Sequence, residues 1–153
     1  MGEHRPHSSV RTAAHTAHPA PPPTPARIQQ TRTKGWRVGR AKVVDRSSRY
    51  GNPWRIENCV VIAPDGTTQD LGTPAAARQE ASTRYRAWLN GEGPDTYAVG
   101  RRTLDRRRVL TGLSHLQGRD LACTCSLPRA GEPDYCHATV LLELAAHPEG
   151  IST

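Results

Sequence analysis

The stretch Arg119-Asp120-Leu121-Ala122-Cys123-Thr124-Cys125 decides how the rest of the chain is read. It reads as a strand between two helical segments. Residues i and i+2 of a strand point to the same side, so Cys123 and Cys125 are expected to face one way off its end. Before it, Val109, Leu110, Leu113 and Leu116 make an apolar stripe that predicts a helix over about 103–116, with Gly112 as a weak point and Gly118 as its stop. After it, a loop over 126–135 leads to a helix that starts near Cys136-His137 and turns Val140, Leu141, Leu144 and Ala145 inward.

Further upstream, Thr73-Pro74 opens a helix with a capping hydroxyl followed by proline at the first helical position. Ala77, Ala81, Tyr85 and Trp88 share one of its faces, Asn90-Gly91 closes it, and residues 91–100 read as a loop. Val43-Val44 and Cys59-Val60-Val61-Ile62 are short apolar strands, and Asp65-Gly66 marks a turn after the second. Short strands alternating with helices predict an α/β fold: a small Rossmann-like layered domain with a short, largely parallel sheet and flanking helices.

The chain has 153 residues, enough for one domain. Residues 1–26 hold six of its 13 prolines and four of its seven histidines (His4, His7, His15 and His18) and almost no large apolar side chain. That composition predicts a disordered tail. The folded part is expected over 27–146, with a loose end over 147–153. There is no Phe, so the core leans on Val, Leu, Ile, Ala and a few Trp and Tyr. No apolar run is long enough for a membrane helix, and the N-terminus lacks a signal core. The sequence therefore predicts a cytoplasmic protein whose four cysteines are thiols, metal ligands or catalytic groups rather than disulfides.

Cys123, Cys125, Cys136 and His137 put four soft-metal ligands within 15 residues. A tetrahedral zinc site needs such a set, although the spacing lacks the usual Cys-x2-Cys knuckle and sets Cys136 and His137 side by side. A second reading is nucleophilic: a thiol at a helix N-terminus beside a histidine favours its thiolate, which makes Cys136 and His137 candidates for catalysis. A third is that the cysteines pack as small hydrophobes and His137 caps the helix. Cys59, inside an apolar strand, reads as core.

The second candidate is the loop from Arg46 to Trp54. Arg46, Ser47, Arg49, Gly51 and Asn52 offer guanidinium forks and turn amides that suit a phosphate. Gly51 is expected to relieve the backbone there, and Pro53 keeps Asn52 out of a helix. Ligands of open α/β sheets sit beyond the carboxyl ends of strands, so parallel neighbours would bring this loop and the Cys/His cluster to one sheet edge. The alternative is an ordinary basic turn anchored by Trp54. The net charge of +7 arises mostly from arginine. Nine basic residues between 27 and 58, and the groups Arg101-Arg102 and Arg106-Arg107-Arg108, would follow a nucleic-acid backbone if they lie on one face, or simply be solvated.

Taken in order, Arg27-Ile28-Gln29 with Gly35-Trp36, Arg46-Ser47 with Tyr50-Gly51-Asn52-Pro53-Trp54, Asp120-Leu121-Ala122-Cys123 with Cys125, and Cys136-His137-Ala138 with Val140-Leu141-Leu142 resemble the domain of unknown function 4326 family. The resemblance spans 27–146 and implies a bacterial or phage protein. It marks Arg46, Ser47, Gly51, Asn52, Pro53, Cys123, Cys125, Cys136 and His137 as signature positions. Thr124 stands where the family has an aromatic residue, and Asp45-Arg46 where Gly-Arg-Pro is expected. The leading expectation is an enzyme acting on a nucleotide or nucleic acid, with Asn52, Cys136 and His137 catalytic and the cluster supplying metal or thiolate. The alternatives are a non-enzymatic, zinc-stabilised DNA- or RNA-binding module, and an interaction protein with structural cysteines. The sequence leaves oligomeric state open.

Overall fold

The computed structural model describes residues 24–147 apart from 32, 33 and 38. The expectations for residues 1–23 and 148–153 lie outside the described residues. Ala26 belongs with the fold, since its N–H donates to Asp120 Oδ1 at 2.8 Å and its carbonyl accepts from Leu121 N at 3.0 Å.

Three strands make the sheet that carries the cysteines: β1 (Arg27–Gln29), β2 (Lys42–Val43) and β8 (Leu121–Cys123). β8 lies between the other two and is parallel to both, with Ile28 and Val43 each in register with Ala122. All three of its residues are buried, as a central strand covered on both faces requires. A second sheet orders β3 (Arg55–Glu57), β4 (Val60–Ile62) and β5 (Thr68–Asp70), and β6 (Thr96–Val99) pairs with β7 (Arg102–Asp105). Both of these are antiparallel. The mixed helix-and-strand class is as expected. The largely parallel sheet is not: parallel pairing is confined to three short strands, because the hairpin turns after β3, β4 and β6 are too short for the crossover that parallel pairing needs.

Helix α1 (Pro74–Leu89) matches its signals. Thr73 Oγ1 accepts from Ala76 N at 3.1 Å, and Ala77, Ala81, Tyr85, Trp88 and Leu89 are buried. It packs on β3 and β4 with one part of its surface, and on α2 (Arg106–Gly112) and α3 (His137–Ala146) with another. α3 starts where the Cys136 cap predicts and buries Val140, Leu141, Leu144 and Ala145.

The segment between α1 and β8 differs from its reading. Residues 96–99 form a strand rather than loop, and 102–105 pair with them before any helix starts. Asp105 then caps α2 by accepting from Arg107 N at 2.9 Å, and a 3₁₀ turn over Leu113–His115 completes the segment. Arg106 holds the turn between α1 and β6: its guanidinium donates to the carbonyls of Trp88 at 2.9 Å and Glu92 at 3.1 Å and pairs with Asp95. Gly112 is a packing requirement more than a weak point. A Cβ there would lie 2.5 Å from the Tyr50 hydroxyl, which donates to Gly112 O at 3.1 Å.

The main core gathers Val44, Tyr50, Tyr85, Trp88, Leu121, Val140 and Leu141. A smaller one under the second sheet holds Val61, Ala77 and Ala81, and Trp54 packs against both. No helix among the described residues is long and apolar enough to cross a membrane.

Candidate functional site

The carboxyl ends of β8 and β2 meet the start of α3. The Sγ atoms of Cys123, Cys125 and Cys136 all lie within 4.8 Å of one another, and those of Cys123 and Cys125 are 3.7 Å apart; the strand ends at Cys123, and a bend after it rather than a shared strand face brings Cys125 alongside. Cys136 is the N-cap of α3, with extended backbone, and His137 is the first helical residue. That bend lets neighbouring side chains converge: His137 Nδ1 stands 3.8 Å from Cys136 Sγ and 4.0 Å from Cys123 Sγ.

The other imidazole nitrogen is committed. His137 Nε2 is 2.6 Å from Val44 O at the end of β2. A carbonyl only accepts, so Nε2 carries a proton, and Nδ1 is the nitrogen that faces the sulfurs. An edge-on contact with the Tyr85 ring, centroids 5.4 Å apart, fixes the ring plane. A histidine whose second nitrogen is tied to a carbonyl in this way is prepared as a metal ligand.

Arg27 locks the loop that returns to Cys136. Its side chain is 2 % exposed and forks onto Asp134, Nε to Oδ2 at 2.6 Å and Nη2 to Oδ1 at 3.1 Å. It also donates to Cys125 O at 2.6 Å and Ser126 O at 2.8 Å, while Asp134 Oδ1 accepts from Cys136 N at 3.2 Å. Burial is the largest single influence and opposes the Arg27 charge, but the Asp134 hydrogen bond and the charges of Cys136, Asp134 and Cys125 together overcome it and raise the pKa. Among described buried side-chain polar atoms only Gln30 Oε1 lacks a partner; Gln30 follows β1, and its N–H donates to Cys123 O at 2.7 Å. The three thiols compete for charge. Hydrogen bonds from Cys125 and Cys136 drive Cys123 far down, and their contacts with Cys123 push those two up. A cation bound among the sulfurs would relieve that conflict. Cys59 lies apart, in the turn between β3 and β4 beside Asp70, and is half-buried rather than the core residue that its apolar neighbours suggest.

The loop after β2 shares this edge, as parallel neighbours require. Its amides are spent internally: Ser47 N donates to Asp45 Oδ1 at 3.0 Å, Ser48 N to Asp45 O at 3.0 Å, Tyr50 N to Ser48 Oγ at 3.1 Å and Gly51 N to Ser48 O at 3.1 Å. Ser47 Oγ also donates to Asp45, at 2.6 Å. Asn52 is buried, giving Nδ2 to Ala81 O and taking Trp54 N on Oδ1, both at 3.0 Å. Gly51 is needed for close approach rather than for a left-handed backbone, since a Cβ would stand 2.7 Å from Arg46 O. Arg102 clamps the loop from outside through Arg46 O and Ser48 O. Arg49 lies over the Tyr50 ring, 5.6 Å from its centroid. The exposed Arg46 guanidinium makes no ion pair among the described residues, and burial and the nearby Arg55 charge lower its pKa.

Several arginines counted as a basic surface are therefore structural: Arg27, Arg102 and Arg106 all hold backbone carbonyls. Spacing revealed the cysteines and His137. It did not single out Asp134 or Val44 O, whose Arg27 and His137 partners lie 107 and 93 residues away.

Fold and site together define a mixed α/β domain with a cysteine cluster at the carboxyl edge of a small parallel sheet. The chain belongs to the DUF4326 family, a domain of unknown function, whose model matches residues 28–147. No curated protein and no solved structure matches it.

Proposed function

We propose that the chain is a metal-ordered binding module: Cys123, Cys125, Cys136 and His137 hold one zinc ion, and the basic groups beside that edge meet a phosphate-bearing ligand, a nucleotide or nucleic acid. The observation that carries the reading is the convergence of three sulfurs within 4.8 Å with His137 Nδ1 3.8 and 4.0 Å from two of them. Zinc–sulfur bonds of about 2.3 Å in a tetrahedron set sulfur atoms about 3.8 Å apart, close to the 3.7 Å between Cys123 and Cys125. Three thiolates and one imidazole suit zinc and disfavour the oxygen-seeking magnesium and calcium. Four protein ligands leave no open position, so the ion is structural.

A thiol enzyme fits less well. Cys136 is 4 % exposed, and His137 Nε2 is already bonded to Val44 O. Asn52 likewise has both amide atoms engaged inside the fold. A Rossmann-like reading draws support only from the three parallel strands and the loops at their carboxyl edge. Metal analysis of the purified chain tests the proposal: one zinc per chain is expected, lost on Cys123→Ala. A metal-free, folded protein with all four thiols open to a thiol reagent would overturn it.

A further inference from the structure

A cleft lies between the β4–β5 turn and the β6–β7 hairpin. Its larger part encloses ≈ 430 Å³ and is lined by Trp54, Asp65 and Tyr97 among others. A smaller part of ≈ 190 Å³ is lined by Arg46 and Arg55, and the two parts share Ala63 and Pro64 as a wall. We propose that this cleft binds a phosphate ester carrying a planar ring, of mononucleotide size, either free or as one unit of a single strand. It rests on the phosphate-binding half of the reading above and needs nothing of the metal.

The two ends of the cleft differ in chemistry. At the narrow end Arg46 and Arg55 line the same cavity, and after burial the Arg55 charge lowers the Arg46 pKa. Arg46 has no acidic partner among the described residues, and Arg55 has only the exposed Glu57 at 3.8 Å. Two arginines with a single exposed carboxylate partner between them, beside a small cavity, are an arrangement a phosphate satisfies, with each fork giving charge-assisted hydrogen bonds. At the wide end Trp54 and Tyr97 are half-buried, their rings edge-to-face with centroids 5.3 Å apart. Partly covered aromatic surface of this kind takes a base by stacking. Asp65 is the acid on this wall, with Oδ1 accepting from Thr67 N at 2.9 Å. It repels phosphate and accepts from an amine or hydroxyl. Arginines at one end and a carboxylate at the other therefore fix which way the ligand lies. The larger volume falls within the usual range for small-molecule sites, roughly 300–1,000 Å³.

The neighbouring structure holds this shape without the ligand. Trp54 N is bonded to Asn52, Tyr97 also packs against Trp88, and Arg102 fixes the loop bearing Arg46. Titration of the full chain as purified with AMP, adenosine, inorganic phosphate and the oligonucleotide dT6, followed by tryptophan fluorescence and calorimetry, tests the proposal. AMP is expected to bind, with Arg46→Ala and Arg55→Ala each weakening it by about tenfold or more and Tyr97→Leu by about fivefold or more. Thermal melts of the three variants establish that they are folded. Adenosine and inorganic phosphate should each bind more weakly than AMP. If dT6 binds more tightly than AMP, with the same dependence on Arg55, the source is a strand; if AMP binds more tightly, it is a free nucleotide. The proposal is overturned if none of the probes binds at millimolar concentration, or if binding is unchanged by both arginine substitutions. It is equally overturned if phosphate binds as tightly as AMP. Those results leave the zinc content untouched, so they separate from a failure of the metal reading.

Discussion

The Cys/His edge and the arginine cleft both adjoin the Arg46–Trp54 loop, and they are built in opposite ways. At the edge the charged and metal-ligating groups are matched inside the fold: Arg27 to Asp134, His137 to Val44 O, and the sulfurs to one another. In the cleft Arg46 and Arg55 are exposed and poorly matched. Internal satisfaction marks a group that holds the fold, because an unpaired buried charge is costly. Unpaired charge around a cavity marks a group available to a ligand. The same residue types thus divide into structural and binding roles by their partners rather than by their positions in sequence.

Removing the proposed zinc should break this contrast most severely. Structural zinc contributes about 10 kcal/mol or more, comparable with the whole stability of a small domain, about 5–15 kcal/mol. A strong chelator, or Cys136→Ala, is therefore expected to abolish the cooperative thermal transition seen by circular dichroism. A melt unchanged by chelation would show that the edge holds without an ion. The Arg27→Met substitution comes next. It leaves Asp134 without its fork and frees the Cys125 and Ser126 carbonyls. The expected loss is about 3 kcal/mol in urea unfolding, with zinc held about tenfold less tightly in a competition assay. Equal zinc affinity in the variant would remove Arg27 from the ligand geometry.

Gly112→Ala should cost about 2 kcal/mol by the overpacking rule, since the new Cβ meets the Tyr50 hydroxyl at 2.5 Å. Helix propensity alone predicts a gain of about 1 kcal/mol, so the sign of the measured change decides between the two. The smallest stability effect is expected at the cleft. Arg55→Ala should change unfolding free energy by less than about 0.5 kcal/mol while reducing AMP binding. A large destabilisation there would place Arg55 with the structural arginines.

Much of the edge was legible in the sequence. Cys-x-Cys at a strand end, Cys136 before an apolar helix and Thr73-Pro74 before another are local signals, and each element formed where its signal stands. The hairpin of β6 and β7 was not legible. Arg102–Asp105 lies within reach of the helical stripe that follows, and only pairing with Thr96–Val99 and the Asp105 cap assign it to a strand. The Arg46–Trp54 loop shows the same limit. Its composition suits a phosphate cradle, yet Asp45 and Ser48 consume the amides that would form one.

By itself, then, the sequence determined the helix ends, the central strand, the family and the four candidate ligands, because capping, periodicity and spacing act over a few residues. Tertiary structure decided which strands pair and in what sense, why Gly51 and Gly112 must be glycine, and which arginines remain free. Those outcomes depend on partners up to 107 residues away, as for Arg27 and Asp134, and no local pattern encodes a partner at that distance. The strand with which the reading began is where the two meet: Leu121-Ala122-Cys123 announced itself locally, but only β1 and β2 on either side place its cysteine beside His137.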